Sequence, residues 1–430
     1  MNLKKSTLLN FLLSAITFLF ISINSYSQNN SGQETTGIDN INTITTSVPF
    51  LLISPDSRSG AMGDVGVAIS PDANAVHWNP AKLVFIDPIK DVGFSMSYSP
   101  WLRALVNDIN LAYLSGYKRL DRFSTIGASL RYFSLGNITF TDNVGSTIRE
   151  FKPSEFAFDV VYSRKLSDNF SAGISARYIN SNLTGGTPVA GAQTKPGQSV
   201  ATDLSLYYIS NPFKIAEKNS TIAFGTNISN IGAKMSYTDG GVSDFIPTNL
   251  RLGSTISSEI DEFNKFSFSV DLNKLLVPTN PIYELDNGSV VYDASGNPVV
   301  LSGRSQFPEI GVASGIFGSF TDAPGTPLFD DNGSTIGIEN GSKFKEELNE
   351  VNLSLGAEFL YSELFALRAG YFYEHPTKGN RRFISFGAGV KYKVLELDLS
   401  YIIANNQSPL ANTIRFSIKL NMGGAEPKEE

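Results

Sequence analysis

"EFAFDVVY", residues 155–162, carries the decisive pattern. Phe156, Phe158, Val160 and Tyr162 fall on one side of an extended chain, and Glu155, Ala157 and Asp159 on the other. Alternation this strict describes a strand with one apolar and one polar face. The same period runs through "TIGASLRYF" (125–133), where Ile126, Ala128, Leu130 and Tyr132 oppose Gly127, Ser129 and Arg131. "DVGFSMSYS" (91–99) aligns Val92, Phe94, Met96 and Tyr98, and "DINLAYLSGY" (108–117) aligns Ile109, Leu111 and Tyr113. Further runs occupy 170–181, 200–210, 220–230, 248–258 and 265–276, then 351–361, 364–375, 382–393, 395–404 and 412–421. Fourteen runs of about ten residues fit an antiparallel transmembrane β-barrel of a bacterial outer membrane.

A soluble sandwich or propeller would also alternate, so connection lengths must decide. With odd connections outside, the even ones are short: "KRLDR", "RKLSD", "SNPFKIAEKN", "SEIDEFN", "YSEL" and "VLE". The odd ones are mostly long (136–153, 182–199, 231–247 and 277–350), although those near 101–107 and 405–411 are modest. Short turns at one end and long loops at the other are the outer-membrane arrangement. The predicted barrel spans 91–421, with a long extracellular loop at 277–350 and a C-terminal tail at 422–430.

Composition agrees with export. Met-Asn-Leu-Lys-Lys precedes an apolar run to Ile23 and small residues at Ser25 and Ser27, which reads as a signal peptide over 1–27, cleaved before Gln28. The chain has no cysteine, which excludes lipoprotein anchoring and disulfides. Its formal charge of −7, about −9 without the signal's two lysines, gives no basic stripe, so no nucleic-acid partner is expected. Neither metal nor cofactor is expected. "DNG" (286–288) and "DDNG" (330–333) resemble calcium loops, but alignment on their glycines puts Leu285 and Leu328 at ligand positions. These stretches are read as turns, with "SGNP" (295–298) a further one, and "FKEELNEV" (344–351) as a short helix.

Residues 28–47 are polar and read as a mobile segment. From 48 to 90 the period of two vanishes, while Gly60, Gly63, Gly66, Pro71 and Pro80 mark a compact irregular segment too short to fold alone. A fourteen-stranded barrel has a lumen to fill, and this segment is expected there as a hatch.

"SRSGAMGDVGVAISPDANAVHWNPAKL" (57–83) resembles the hatch of the long-chain fatty-acid transporter superfamily, whose Asn-Pro-Ala motif falls on Asn79, Pro80 and Ala81, after Trp78. A narrower resemblance is to the PorV (LptO) family of the Bacteroidetes type IX secretion system. It is carried by "SPDSRSGAMGD", "WNPAKL", "IPTNLRLG", "GIFGSFTDAPG", "KEELNEVNLSLGAEFLYSELFALRAGYFYEHPTKGNRRF" and "PLANTIRFS", spread over Ser54 to Ser417. It implies a non-enzymatic accessory barrel, embedded in membrane lipid, that binds the giant translocon barrel SprA (Sov). Such a barrel would take cargo by its C-terminal signal domain to a surface attachment complex containing PorU. Transport of a hydrophobic small molecule and hydrolysis of lipid A acyl chains are the alternatives.

His77, with Asp64, Asp72 and Ser70 nearby in sequence, invites a catalytic reading, but glycine-rich packing explains the cluster, so no catalytic residue is assigned. His375 falls in the outside loop "EHPTKGNRR". In the longest loop, Ile316, Phe317 and Phe320 among glycines are candidate partner or cargo contacts, or else pack within the loop or cap the lumen.

Overall fold

A computed structural model describes residues 41–102, 106, 108–141, 144–188, 192–304, 309–404, 410 and 412–423. The expected signal peptide and most of the tail lie outside them. Fourteen long strands form the wall: β1 (Lys90–Pro100), β2 (Ile109–Arg119), β3 (Ser124–Leu135), β4 (Ser154–Lys165), β5 (Phe170–Asn182), β6 (Gly197–Ile209), β7 (Lys218–Gly232), β8 (Asn249–Glu259), β9 (Asn264–Leu275), β10 (Val351–Tyr361), β11 (Phe365–Tyr373), β12 (Arg382–Tyr392), β13 (Leu395–Ala404) and β14 (Ile414–Gly423). Each pairs antiparallel with its sequence neighbour, and β14 returns to β1 with Ile418 opposite Met96, so the sheet closes. A short arm, Phe213–Ile215, folds onto the start of β7. Closure leaves no unpaired edge, which a backbone in lipid requires.

Burial follows the alternation. In β4, Phe158, Val160 and Tyr162 are exposed on the outer face while Glu155, Ala157 and Asp159 are buried inside. In β2 the expected apolar face turns out to be the inner one. Leu111 packs with Val48, Phe50, Leu51 and Phe133 of the lumen, Tyr113 is buried, and Leu114 faces outward. The opposite set, Ala112, Leu114 and Gly116, is also free of charge, so period two finds the strand without choosing its outer side.

Inside lie a 3-10 turn at Pro49–Leu52, α1 (Ser57–Gly60), α2 (Ala75–Trp78) and a 3-10 helix at Pro80–Phe85. Placing odd connections outside takes the chain to enter from the periplasmic, short-turn end, and the path of this segment corrects that expectation. Asn42 N donates to Thr377 O, and Asn42 Nδ2 to Asn280 O, both on connections at the long-loop end. Phe50 then stacks on Phe133 near the long-loop end of β3. Arg119 at the short-turn end of β2 bonds Ile86 O. The segment therefore descends the whole lumen before β1 begins at the opposite end. Residues 41–47, read from sequence as part of a mobile segment, are extended and bonded, Ser47 N donating to Phe245 O (2.9 Å).

The long connection between β9 and β10 has its own structure. Leu285–Asp286 pairs with Ser289–Val290 across Asn287 (φ 47°) and Gly288 (φ 74°), a turn with two left-handed residues. Pro327–Phe329 pairs with Thr335–Ile338, and Asp330 accepts from Asn332 N and Ser334 N in the turn between them. Helices α3 (Val312–Gly318) and α4 (Ser342–Asn349) flank this second hairpin, the latter where a short helix was expected.

Candidate functional site

The Trp-Asn-Pro-Ala stretch joins α2 to the 3-10 helix, and each residue has a distinct task. Asn79 N closes α2 on Ala75 O, while its Oδ1 accepts from Ala81 N (3.1 Å) and starts the next turn. Its Nδ2 donates to Val67 O (3.0 Å) and to Leu206 O of β6 (2.9 Å), tying hatch to hatch and hatch to wall. Pro80 fills the first helical position, where no amide donor is needed. Ala81 O accepts from Ser163 Oγ and Ser171 Oγ, and Ala81 N also donates to Ser205 Oγ. Gly225 of β7 makes this contact possible, since a Cβ there would strike Val67 O and Asn79 Nδ2. Trp78 Nε1 donates to Asp56 Oδ1 (2.7 Å), and Asp56 Oδ2 caps α1 through Ser59 N.

Charges hold the hatch to the opposite wall. Arg58 of α1 forks onto Glu358 of β10 (3.0 and 2.9 Å) and reaches Asp72 (3.2 Å). Glu358 also receives Arg368 of β11 (2.7 Å). Lys419 of β14 joins Asp72, Glu396 and Asp398. Arg415 pairs with Asp64 (3.0 Å), and Asp271 of β9 accepts from Gly66 N and Val67 N. Buried pairs of this kind fix geometry more than they stabilise, but removing one partner costs roughly 3–5 kcal/mol. Sequence reading did not identify this network. Its members are scattered over the hatch and the polar faces of five strands, and only the register brings them together.

His77 is buried, and its Nδ1 lies 2.8 Å from Arg131 Nη2. A guanidinium can only donate, so Nδ1 is the acceptor. The groups suspected of joining it are engaged elsewhere. Ser70 Oγ bonds Arg58 Nη2, Asp72 bonds Arg58 and Lys419, and Asp64 bonds Arg415. No nucleophile–base–carboxylate set assembles here. His375 caps the 3-10 turn Pro376–Lys378, accepting from Thr377 N. Among the described residues no group of three or more His, Cys, Asp or Glu is placed to hold a metal ion.

At the long-loop end, Phe317 is 79% exposed and Phe320 47%, while Ile316 is half-buried. The three belong to or follow α3, a helix the sequence reading left as loop. At the same end a cavity of about 390 Å³ is lined by Thr43, Leu52, Ile53, Leu275, Lys378 and Arg381, among others.

A family described as type IX secretion system protein PorV matches residues 36–282, more than half of the chain. The chain belongs to the PorV family. It is thus an outer-membrane β-barrel component of type IX secretion, a family of non-enzymatic proteins. No curated protein sequence matches it. Among solved structures, it is similar to the toluene transporter TbuX of Ralstonia pickettii (11% identity over 86% of this chain and 98% of the other, TM-score 0.45). The P. putida toluene transporter TodX (13%, 85% and 98%, TM-score 0.44) and a Pseudomonas aeruginosa FadL homologue (12%, 89% and 99%, TM-score 0.41) are also similar.

Proposed function

We propose that this PorV-family barrel is a non-enzymatic carrier of secreted protein. It binds the large translocon barrel SprA (Sov), receives cargo by its C-terminal signal domain and hands it to the PorU-containing attachment complex at the cell surface. The supporting observation is the division of labour between lumen and loops. The lumen is occupied from end to end by a hatch tied by hydrogen bonds and ion pairs, whereas apolar side chains stand exposed on the long loop. A filled lumen suits holding better than conduction, and exposed aromatics suit partner contacts. The test replaces Phe317 and Phe320 with Ser. Cargo or translocon co-purification should fall several-fold while heat-modifiable migration stays normal. Unchanged recovery of both partners by a folded variant would remove the loop from the binding surface.

A second reading, transport of a hydrophobic small molecule, draws on the cavity at the long-loop end, whose wall includes Leu52, Ile53 and Leu275. Uptake by liposomes carrying the purified barrel, absent from protein-free liposomes, would support it. Lipid A acyl hydrolysis draws on no observation here, because His77 faces Arg131 inside the lumen and its neighbours are otherwise paired.

A further inference from the structure

Helix α4 is inverted relative to an ordinary surface helix. Its acidic residues face the protein. Glu346 accepts from Asn42, Gly325 N and Lys378, Glu347 from Ala323 N and Lys274, and Glu350, one residue beyond, from Lys274, Lys378 and Thr279. With 3.6 residues per turn, Phe344, Lys345 and Leu348 fall on the other side. Phe344 is 70% exposed and Leu348 57%. An i, i+4 apolar pair turned away from the protein, beside an unengaged lysine at the surface, needs a companion.

The wall below shows which. Helix α4 leads directly into β10, where Leu353 is paired with Tyr373 of β11, and Tyr373 with Arg382 of β12. Tyr373 shares the outer face of β11 with the exposed Phe365 and Leu367, and Arg382 that of β12 with Ile384 and Phe386. The Arg382 guanidinium lies over the Tyr373 ring, 5.0 Å from its centre. His375, between these elements, is held below its usual range first by burial and then by the charges of Arg382, Lys345 and Lys378. Lys345 stands on the helix that runs into β10, and Arg382 begins β12, two strands along the same rim.

We propose that α4 and the rim beside it form a seat on the membrane surface, with Phe344 and Leu348 entering the leaflet and Lys345 and Arg382 binding anionic, phosphate-bearing headgroups. The apolar pair continues the lipid-facing belt upward, and the cations stand where headgroup phosphates lie. Tyr373, an aromatic at the same level, matches the girdle that flanks the apolar band of such barrels. The seat rests on the barrel's place in a membrane and not on the secretion role. It also gives the glutamates a purpose, since drawing them inward leaves the outer side of the helix basic.

The chain has no cysteine, so Leu348→Cys accepts a single environment-sensitive fluorophore. Labelled protein goes into nanodiscs of phosphatidylcholine alone or mixed with phosphatidylglycerol, and emission is read with lipids brominated near the carbonyl. Tyr292→Cys, on an exposed hairpin of the same loop, is the control. Quenching is expected at position 348 and not at 292, and more strongly in the anionic discs. Lys345→Gln and Arg382→Gln should each lower retention of phosphatidylglycerol by about fivefold at low salt, with heat-modifiable migration confirming the fold. An unquenched label at 348 in both discs would overturn the proposal. So would quenching that ignores lipid charge together with unchanged retention. A label unquenched by lipid but shielded in the co-purified translocon would assign the face to a protein partner, and the proposal would fail.

Discussion

Through its amide and its side chain Asn79 satisfies four backbone groups: its own amide bonds Ala75 O, and its side chain bonds Val67 O, Leu206 O and Ala81 N. Asn79→Ala keeps the first and removes the other three, at about 1–3 kcal/mol for each buried group left unpaired, Ala81 N keeping its bond to Ser205 Oγ. The barrel should still assemble, because no strand pairing depends on this side chain. The expected outcome is faster amide exchange over residues 60–85 and higher small-solute leakage in liposomes, with unchanged heat-modifiable migration. Unaltered exchange would show that the ion pairs alone hold the hatch. Part of this corner was legible in sequence, since an asparagine before proline is a turn residue and the stretch resembles a hatch motif. Its partners were not. Asp56 is 22 residues from Trp78 and Leu206 is 127 from Asn79, and no local pattern encodes such distances.

Strands were the most readable elements, because a membrane imposes one rule on all of them. All fourteen alternating runs became wall strands, most within two or three residues of the expected ends. Orientation in β2 escaped the reading because neither face carries a charge from Ile109 to Tyr117, and Lys118 and Arg119 at its end fall one on each face. Two substitutions check it. Leu114→Arg, on the outer face, should cost about 2–4 kcal/mol if that position lies near the midplane. Leu111→Ala should cost about 2–5 kcal/mol through a cavity at the hatch. Reversible urea unfolding in lipid measures both, and the predicted signature is accelerated hatch exchange in the second variant alone. The outer loop offers a pH test. Burial first, then Glu350 and Glu347, raises the Asp322 carboxyl to about 6, against Arg304 at 3.5 Å. A raised folded value contributes stability fully below the unfolded 3.8 and loses it as pH rises through about 6. Amide exchange around residues 320–326, corrected for its intrinsic rate, should therefore accelerate between about pH 4 and pH 7. Asp322→Asn should flatten that profile.

For the molecule as a whole, sequence parity gave the strand order and the two kinds of end, and the connection lengths agree. The descent of the hatch was not legible, because a segment without periodicity carries no sign of direction. With the long loops outside, this descent puts residues 42–47 at the cell surface. Thr43→Cys, the sole cysteine in such a variant, should react in intact cells with a maleimide that cannot cross the outer membrane. A cysteine at Glu262, in the short turn between β8 and β9, should react only after the membrane is opened. The reverse pattern would invert the barrel's placement.

The seam between β14 and β1 joins the two ends of the wall, with Ile418 opposite Met96. The last strand also carries Arg415, Ser417 and Lys419, which grip Asp64, Ser57 N and Asp72 of the hatch. Contacts spanning some 350 residues are entropically slow to form. The strand that shuts the ring is thus the one that fastens its contents, like a vessel whose last stave is also the bolt on its stopper. The order of assembly this predicts is that the hatch is already inside when the seam meets. A hatch peptide supplied afterwards to a closed, hatchless barrel should find its docking groups but no way to thread between them.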